Sequence, residues 1–485
     1  MDAEQGFSTP QPGGTAAGRP QTVSAGLARA IRDWLPQSAV EWVWWPIFAF
    51  WAFFPSSRTP VLDIKGLELT LKDALLACTA LLTLPWMVLH RNRLRHPFLW
   101  TFLPFTALTA YAILTALVVG NYRGLHLAYI IFPAVQAWFA MCLAFTVVSS
   151  LPHAKIRGFG QRSAVALLIV TVAYGYVTLF PGTQFRQFER VPSDFGVPRL
   201  AGPLGLSTLL PAILLPAISY LLLGIKGVRM GILRALGVGT LAAGIFLGGS
   251  RAGVVALASF ILILTAKRGG LKRVIATVPL VVLAAVLVFR IAVPTRLMDF
   301  SERYRTETYI SGLAAWTQNA ATLIFGQGYG EMWPWYRDEI WLFKNAARES
   351  RWLHFERTPF GRMLAIPAST ILLILVETGV VGSFLFGLAL GSQLLPALRR
   401  PANYSGVAPL LAPGLAASLV IFFFDAVLVK AFPLGAIWWA FFFVMAADLS
   451  VQKHEVVKAK PHRRAPFRAP VPSEALAVNH RAGLR

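Results

Sequence analysis

Three arginines stand where a fixed positive charge could bind a phosphate group: Arg199, Arg251 and Arg305. Arg251 lies in the run Gly248-Gly249-Ser250-Arg251-Ala252-Gly253 between two apolar stretches, and its glycines permit a tight reversal with close backbone approach. An arginine at membrane depth costs about 2.5–3.5 kcal/mol on insertion scales, so it usually faces a polar cavity or a partner. Because a guanidinium group binds phosphate oxygens through paired hydrogen bonds, arginines converging on one face would suit a diphosphate. Snorkelling of Arg251 to the lipid headgroups is the alternative interpretation.

Arg303 and Arg305 precede a stretch with helical periodicity. From Tyr304 to Ile324 the apolar residues that recur at helical spacing are Tyr309, Leu313, Trp316, Ala320 and Leu323. Arg305 stands one turn before Tyr309 on that face, so both are candidates for contact with a substrate. An ion pair with Glu302 or Glu307 is the structural alternative.

Two further residues could move a proton. His354 is a lone histidine in a polar stretch, and Glu377, in Leu375-Val376-Glu377-Thr378-Gly379, is a carboxylate in an apolar setting. A hydrogen bond at a helix end is an equally good interpretation of Glu377. Upstream of both, Gly326-Gln327-Gly328-Tyr329-Gly330 predicts a sharp turn after a helix. It is not a P-loop, because no Gly-Lys-Ser/Thr follows.

Motifs for metal-dependent chemistry are missing from the sequence. It contains no His-Glu-x-x-His, no Asp-x-Asp doublet and no Gly-x-Ser-x-Gly. The two cysteines, Cys78 and Cys142, lie in apolar stretches, with no spacing that indicates a disulfide framework or a metal site. We therefore predict neither a metal nor another cofactor.

The elements that must position these residues are membrane helices. Of 485 residues, 56% are hydrophobic and 14% are charged, whereas a soluble globular protein carries about 25% charged residues. The apolar residues occur in blocks of about twenty, the length a helix needs to cross about 30 Å of hydrocarbon. A β-barrel would show alternating segments of about ten residues instead.

The sequence therefore predicts an all-α polytopic membrane protein with about twelve transmembrane helices, in a range of roughly ten to thirteen. The predicted spans are Ala39–Phe54, Leu67–Leu89, Phe98–Val119, Leu125–Ser149, Val165–Phe180, Leu204–Gly224, Gly231–Gly249, Ala252–Ala266, Arg273–Val293, Ser369–Leu394, Val407–Phe424 and Leu428–Leu449. The stretch from Ser369 to Leu394 could combine a re-entrant turn with a span.

The net charge of +23 follows the positive-inside rule. Every second connection is basic, and the residues concerned are Arg91, Arg93, Arg95, His153, Lys155, Arg157, Arg162, Lys226, Arg229, Lys267, Arg268, Lys272, Arg273, Arg399 and Arg400. This alternation predicts that both termini are cytoplasmic. The placement also argues against a nucleic-acid partner.

Three regions follow from this pattern. Residues 1–36 are predicted to be a disordered or amphipathic cytoplasmic N-terminus, with a short interfacial helix from Ser24 to Leu35 or a frayed linker as the alternatives. Residues 37–450 form the membrane domain, which includes a large extracytoplasmic loop, predicted to be helical, at 294–364. Residues 451–485 form a basic cytoplasmic tail, predicted to be disordered, that could contact anionic lipids.

The order of these motifs resembles the O-antigen ligase/polymerase superfamily of bacterial envelope glycosyltransferases. Pro198-Arg199-Leu200-Ala201-Gly202 is similar to the family's Arg-x-x-Gly segment, and Gly249-Ser250-Arg251-Ala252-Gly253 to its Ser-Arg-Gly/Ala signature. Arg305-x-x-x-Tyr309, followed by the turn at residues 326–330, resembles its Arg-x-x-x-Trp helix and Gly-x-Gly turn. The stretch from Pro367 to Gly382 resembles its closing Pro-His-Asn and Glu-Thr-Gly pattern.

One position departs from the family. The family has a histidine directly after the proline, and that histidine is taken as part of its active site; here the position is Ala368. His354 or a carboxylate could substitute for it. The chain could instead belong to a polymerase-like branch with different needs, or be inactive.

The resemblance implies a GT-C-like fold and a metal-independent glycosyltransferase at the outer face of the bacterial inner membrane. The donor would be a polyprenyl-diphosphate-linked oligosaccharide and the acceptor a glycan or lipid, in surface polysaccharide (O-antigen or exopolysaccharide) biosynthesis. Arg251 and Arg305 would stabilise the leaving diphosphate, with Arg199 and Arg303 in support and His354 as the base. The alternatives are an inactive homologue or scaffold in an envelope assembly, and a small-solute transporter.

Overall fold

The described part of the chain is a bundle of apolar helices. The computed structural model describes residues 39–53, 60–64, 67–89, 96–119, 125–176, 210–223, 228–248, 250–292, 309–310, 312–330, 355–358, 361–364, 369–400, 406–424, 428 and 432–459. The N-terminal and C-terminal predictions for residues 1–36 and 460–485 lie outside these residues.

The helices follow the predicted apolar blocks closely. They are α1 (Ala39–Phe53), α2 (Leu71–Leu89), α3 (His96–Val118), α4 (Leu125–Ser150), α5 (His153–Val170, continued by a π-helical turn Thr171–Tyr176), α6 (Pro211–Leu223), α7 (Val228–Leu247), α8 (Arg251–Ala292), α9 (Ala320–Phe325), α10 (Thr370–Arg399), α11 (Ala408–Phe424) and α12 (Phe432–Ala459). Two small antiparallel hairpins accompany them: β1 (Pro60–Ile64) with β2 (Leu67–Thr70), and β3 (Phe355–Thr358) with β4 (Gly361–Leu364).

Length and composition identify this as a membrane protein. Four segments of the described residues are long and apolar enough to cross a bilayer: Phe98–Val118, Ile130–Ser150, His153–Ala173 and Thr370–Arg399. Shorter apolar helical segments are Ala77–Leu89, Pro211–Leu222, Gly231–Leu247, Ala408–Phe424 and Leu434–Leu449.

Contacts between named residues order the helices antiparallel. Thr101 and Ser392 lie 3.4 Å apart through their hydroxyl oxygens, and a Cβ on Gly382 would lie 3.2 Å from Leu108, so α3 and α10 run in opposite directions. We call the end of the bundle that contains the last residues of α3 and the first residues of α10 the site end.

The centre of the bundle is aromatic. Trp438, Trp439 and Phe443 of α12 are fully buried. Their rings lie 5.1 to 5.8 Å from aromatic neighbours that include Phe98 of α3, within the range in which edge-to-face and offset pairs are favourable. The last helix is therefore packed in the interior of the bundle, in contact with earlier helices that include α3.

The structure corrects several predicted boundaries. The predicted spans Ala252–Ala266 and Arg273–Val293 are both helical, and the residues predicted to connect them are helical too, apart from Gly270. At Gly270 the chain leaves helical geometry, with φ 67° and ψ −172°, so α8 consists of two helices that meet at this residue. The start of the second predicted span, Leu67–Thr70, is a strand, because it pairs with β1. Residues 451–459, predicted to be disordered, continue α12 as helix.

The largest correction concerns α5. Its sequence predicts a basic connection followed by a span from Val165, but the helix begins at His153. Arg162 is therefore inside the bundle, only 5% exposed, and its guanidinium donates to the Glu41 carboxylate of α1, which is fully buried. The Trp45 indole N–H donates to the same carboxylate oxygen at 3.2 Å. Arg162, which the sequence places in a basic cytoplasmic connection, is therefore part of a buried ion pair with Glu41.

Breaking this pair should destabilise the bundle. Removing one member of a buried ion pair leaves an uncompensated charge and costs about 3–5 kcal/mol. We expect Glu41→Gln to lower the detergent melting temperature sharply, and Glu41→Gln/Arg162→Gln to restore much of the loss. Thermal melting followed by tryptophan fluorescence measures the melting temperatures of both variants. If Glu41→Gln melted no lower than the double variant, the two charges would not be coupled.

Candidate functional site

A glycine-rich turn is docked onto a broken membrane helix. Helix α10 loses helical geometry at Gly379, with φ 63° and ψ −161°, and a break leaves carbonyls of the preceding turn available for other donors. The backbone N–H of Gln327 donates to Val376 O at 2.9 Å, and that of Gly328 donates to Glu377 O at 3.1 Å. The turn therefore supplies donors to α10 at its break.

Two glycines make this contact possible. Gly326 and Gly379 both have positive φ, and their backbones touch. A Cβ on Gly379 would overlap the Ile324 carbonyl and lie 2.5 Å from Gly326 N, and one on Gly326 would overlap the Glu377 carbonyl. The predicted sharp turn after a helix is confirmed, since α9 ends at Phe325 and positive φ follows at residues 326, 328 and 330.

Side chains fix the approach to the turn. The Tyr111 hydroxyl of α3 donates to Phe325 O at 2.9 Å. The Trp316 indole N–H donates to Leu323 O at 2.9 Å, and the Gln327 amide donates to Ala315 O. The helix predicted from Tyr304 to Ile324 is thereby interrupted: residues 312–316 and α9 are helical, with a turn at 317–319 capped by Asn319.

Glu377 lies at the centre of this junction. Its side chain is fully buried in α10, two residues before the break. Burial raises the pKa of the Tyr329 phenol, and the nearby Glu377 carboxylate raises it further. Tyr329 therefore stays protonated across the physiological range. Sequence analysis identified Glu377 from its apolar surroundings; it missed Tyr329, because a tyrosine in a glycine-rich turn gives no signal of a partner in a distant helix.

An apolar cavity opens beneath Tyr329. It has a volume of about 40 Å³ and lies between α3, α4 and α10. Its lining residues are Phe105, Leu108, Thr109, Ala112, Ala134, Ala137, Tyr329, Leu373, Ile374, Thr378, Phe386 and Leu428. Because nearly all of this surface is hydrocarbon, the cavity suits an apolar group rather than a sugar.

Arg251 is the first residue of α8. Ser250 precedes it and is buried, and its hydroxyl accepts the Gly253 N–H at 3.0 Å, a cap that fixes where the helix begins. A Cβ on Gly253 would lie 2.7 Å from Pro211, so α6 and α8 meet closely here. The predicted reversal with almost no loop is confirmed, since α7 ends at Leu247. The half-buried Arg251 adds its charge to the positive end of the helix dipole.

Tyr309 lies at the end of α11. Its hydroxyl donates to Phe423 O, and the Ser369 hydroxyl, which caps α10, donates to Phe422 O at 3.2 Å. The last turn of α11 is therefore bonded to both Tyr309 and the start of α10, and α11 also packs against α8, the helix that Arg251 begins. Sequence analysis singled out Tyr309 but missed Ser369, which has the ordinary pattern of a helix cap.

The described residues therefore contain three of the predicted site residues: Arg251, Tyr309 and Glu377. Lys267 of α8 donates to Ala397 O near the far end of α10 at 3.2 Å, so Arg251, at the start of α8, lies toward the site end, as Tyr309 and Glu377 do. Four other predicted site residues lie outside the described residues: Arg199, Arg303, Arg305 and His354. Ala368 also lies outside them. The convergence of several arginines on one diphosphate therefore stays a prediction.

No protein-family model matches the chain, and a search of curated proteins finds no match. The resemblance to the O-antigen ligase/polymerase superfamily thus rests on residue motifs and their order.

The two interlocked glycines should tolerate no side chain. We expect Gly379→Ala or Gly326→Ala to destabilise the protein by roughly 1–3 kcal/mol or more, because each combines positive φ with a backbone overlap. Thermal melting in detergent measures the change.

Gly387 is the matched control, because it lies in the same helix and a Cβ there would meet nothing within 4 Å. We expect Gly387→Ala to be neutral or slightly stabilising. If Gly379→Ala melted at the same temperature as Gly387→Ala, the docking of the turn would not be rigid.

Proposed function

We propose that this protein transfers or polymerises a polyprenyl-diphosphate-linked glycan at the outer face of a bacterial inner membrane, in the synthesis of a surface polysaccharide. The observation that carries the proposal is the position of Arg251. A cation is disfavoured at a helix N-terminus, so its place at the start of α8 serves binding of an anion better than it serves helix stability.

Beyond the four long apolar segments, we propose that the protein has twelve membrane spans in all. Helices α1 to α7, the two halves of α8 on either side of Gly270, and α10 to α12 would each cross the bilayer in alternating directions. Both termini would then be cytoplasmic and the site end extracytoplasmic, in a GT-C-like arrangement. The basic residues of every second connection support this orientation.

The chemistry is a displacement at the anomeric carbon of the donor. An acceptor hydroxyl oxygen forms the new bond to this carbon while the bond to the diphosphate oxygen breaks, and the acceptor's proton passes to a base. Negative charge grows on the leaving diphosphate, so guanidinium groups already aimed at it lower the barrier. Arg251 takes this role together with Arg305, and Arg199 and Arg303 support them.

A base must take the proton of the acceptor hydroxyl. His354 is the candidate from the sequence, since Ala368 stands where the family has its histidine. Glu377 is fully buried and its backbone carbonyl accepts the Gly328 N–H of the glycine-rich turn, so we assign it to the support of this turn rather than to direct contact with an acceptor. The same Ala368 supports the alternative that the chain is an inactive homologue that acts as a scaffold.

A small-solute transporter is the second candidate function. Transporters place ion sites at helices broken within the membrane, and α10 is broken at Gly379, with the buried Glu377 two residues before the break. The test is uptake of a solute by purified protein in liposomes. Uptake by the unchanged protein that is lost in Glu377→Gln would favour this function over glycan transfer.

Replacing Arg251 tests the glycosyltransferase directly. We expect Arg251→Ala to abolish long-chain surface polysaccharide at unchanged protein level, because loss of one donor to a developing oxyanion costs on the order of 10²–10³ in rate. Arg251→Lys should retain a small part of the activity, since an ammonium keeps the charge but not the paired hydrogen bonds. Gel analysis of surface glycans measures the outcome.

Arg399→Ala is the control. Arg399 lies in the last turn of α10, at the opposite end of that helix from the site end, and its loss should leave the polymer unchanged. Normal polymer in Arg251→Ala would refute the proposed role. In a deletion strain, full-length chains stranded on the lipid carrier would indicate a ligase, and single repeat units a polymerase.

A further inference from the structure

The segment that leads into the glycine-rich turn exposes an apolar surface. We call residues 309–310 and 312–330 the docked segment. Its exposed apolar side chains are Ile310, Leu313, Leu323, Ile324 and Phe325, and α9 contains no buried residue. Phe325 is 54% exposed although it stands next to the rigid contact with α10. Such a surface needs a partner that is apolar itself.

The docked segment lies against two helices that are long enough to cross a membrane. The Tyr111 hydroxyl of α3 donates to Phe325 O, and the Gln327 N–H donates to Val376 O of α10. Both helices contain one of the four segments that have the length of a full span. These two spans also expose apolar residues of their own. They include Leu114 and Val118 on α3, and Val380 and Phe384 on α10.

The depth of the contact can be measured on both helices. The span Phe98–Val118 has 21 residues, and at 1.5 Å per residue it matches a hydrocarbon layer of about 30 Å. Tyr111 lies two turns before Val118, about 10 Å along the axis. On α10, Val376 lies about 9 Å from the first residue, Thr370. Two helices therefore place the end of the docked segment well below the edge of the bundle.

Several backbone groups of the docked segment bond to other groups of the protein, as lipid demands of a buried or lipid-facing backbone. At its helix ends and turns, Leu323 O, Phe325 O and Trp316 O each accept a side-chain donor at 2.9 Å. The Tyr329 N–H donates to the Thr115 hydroxyl at 3.3 Å. In a water-exposed loop many of these groups would bond to solvent, so this degree of internal pairing indicates an apolar environment.

We propose that the docked segment is inserted into one leaflet of the bilayer, with Ile310, Leu313, Ile324 and Phe325 in contact with lipid acyl chains. The glycine-rich turn and the mouth of the apolar cavity then lie at hydrocarbon depth rather than above the headgroups. This inference does not rest on the proposed glycan transfer, because it uses only exposure, depth and backbone pairing.

Fluorescence quenching distinguishes lipid from water at single positions. In a Cys78→Ser/Cys142→Ala background, Phe325→Cys and Leu313→Cys would each carry a bimane label, and the full-length protein would be reconstituted into phosphatidylcholine vesicles. We expect vesicles whose acyl chains carry a nitroxide to remove most of the fluorescence at both positions, and aqueous iodide to remove little.

Gln318→Cys is the matched control, because Gln318 is exposed in the polar turn between the two helical stretches of the same segment. Its label should show the reverse order, with iodide the stronger quencher. Iodide quenching of Phe325 and Leu313 equal to that of Gln318 would overturn the proposal. Protection of both labels from nitroxide and iodide alike would also overturn it, since another part of the protein would then cover the surface.

Discussion

The structure depends on one constraint: a helix broken inside an apolar bundle must have its backbone groups satisfied by protein. Gly379 breaks α10, and the N–H groups of Gln327 and Gly328 donate to the two carbonyls before the break. Only glycine fits on either side, since a Cβ at 326 or 379 would enter the partner backbone. A loop segment distant in sequence is thereby made a rigid part of the membrane helices, and it brings Tyr329 next to the buried Glu377.

Charge has a different role at two places in the bundle. Glu41 and Arg162 neutralise each other within the helices, and that pairing stabilises the fold without leaving charge for a ligand. At the site end, Arg251 begins α8 half-buried, with its charge added to the helix dipole rather than opposed to it. The first arrangement stabilises the fold, and the second is the basis on which we propose glycan transfer from a lipid diphosphate.

The depth of the docked segment connects this chemistry to the membrane. A lipid-linked donor has its phosphates at the headgroups and its chain in the hydrocarbon, so a site for it needs fixed cations close to an apolar entry. The cavity beneath Tyr329 and the apolar surface around Phe325 supply apolar contact at the same end of the bundle as Arg251. A transporter that used the break at Gly379 would need a polar path there, and the lining of this cavity is almost wholly apolar.

The sequence by itself determined the membrane class and the helix positions, because the length of an apolar block and the glycines that end it are local properties. It also located Arg251 at a reversal, the turn at residues 326–330, and Glu377 in apolar surroundings. Tertiary structure decided that Arg162 is paired with Glu41 and that the turn joins α10 at Gly379. Each of these depends on residues that meet only after the helices have packed, and such long-range contacts leave no periodic or local trace in a single sequence.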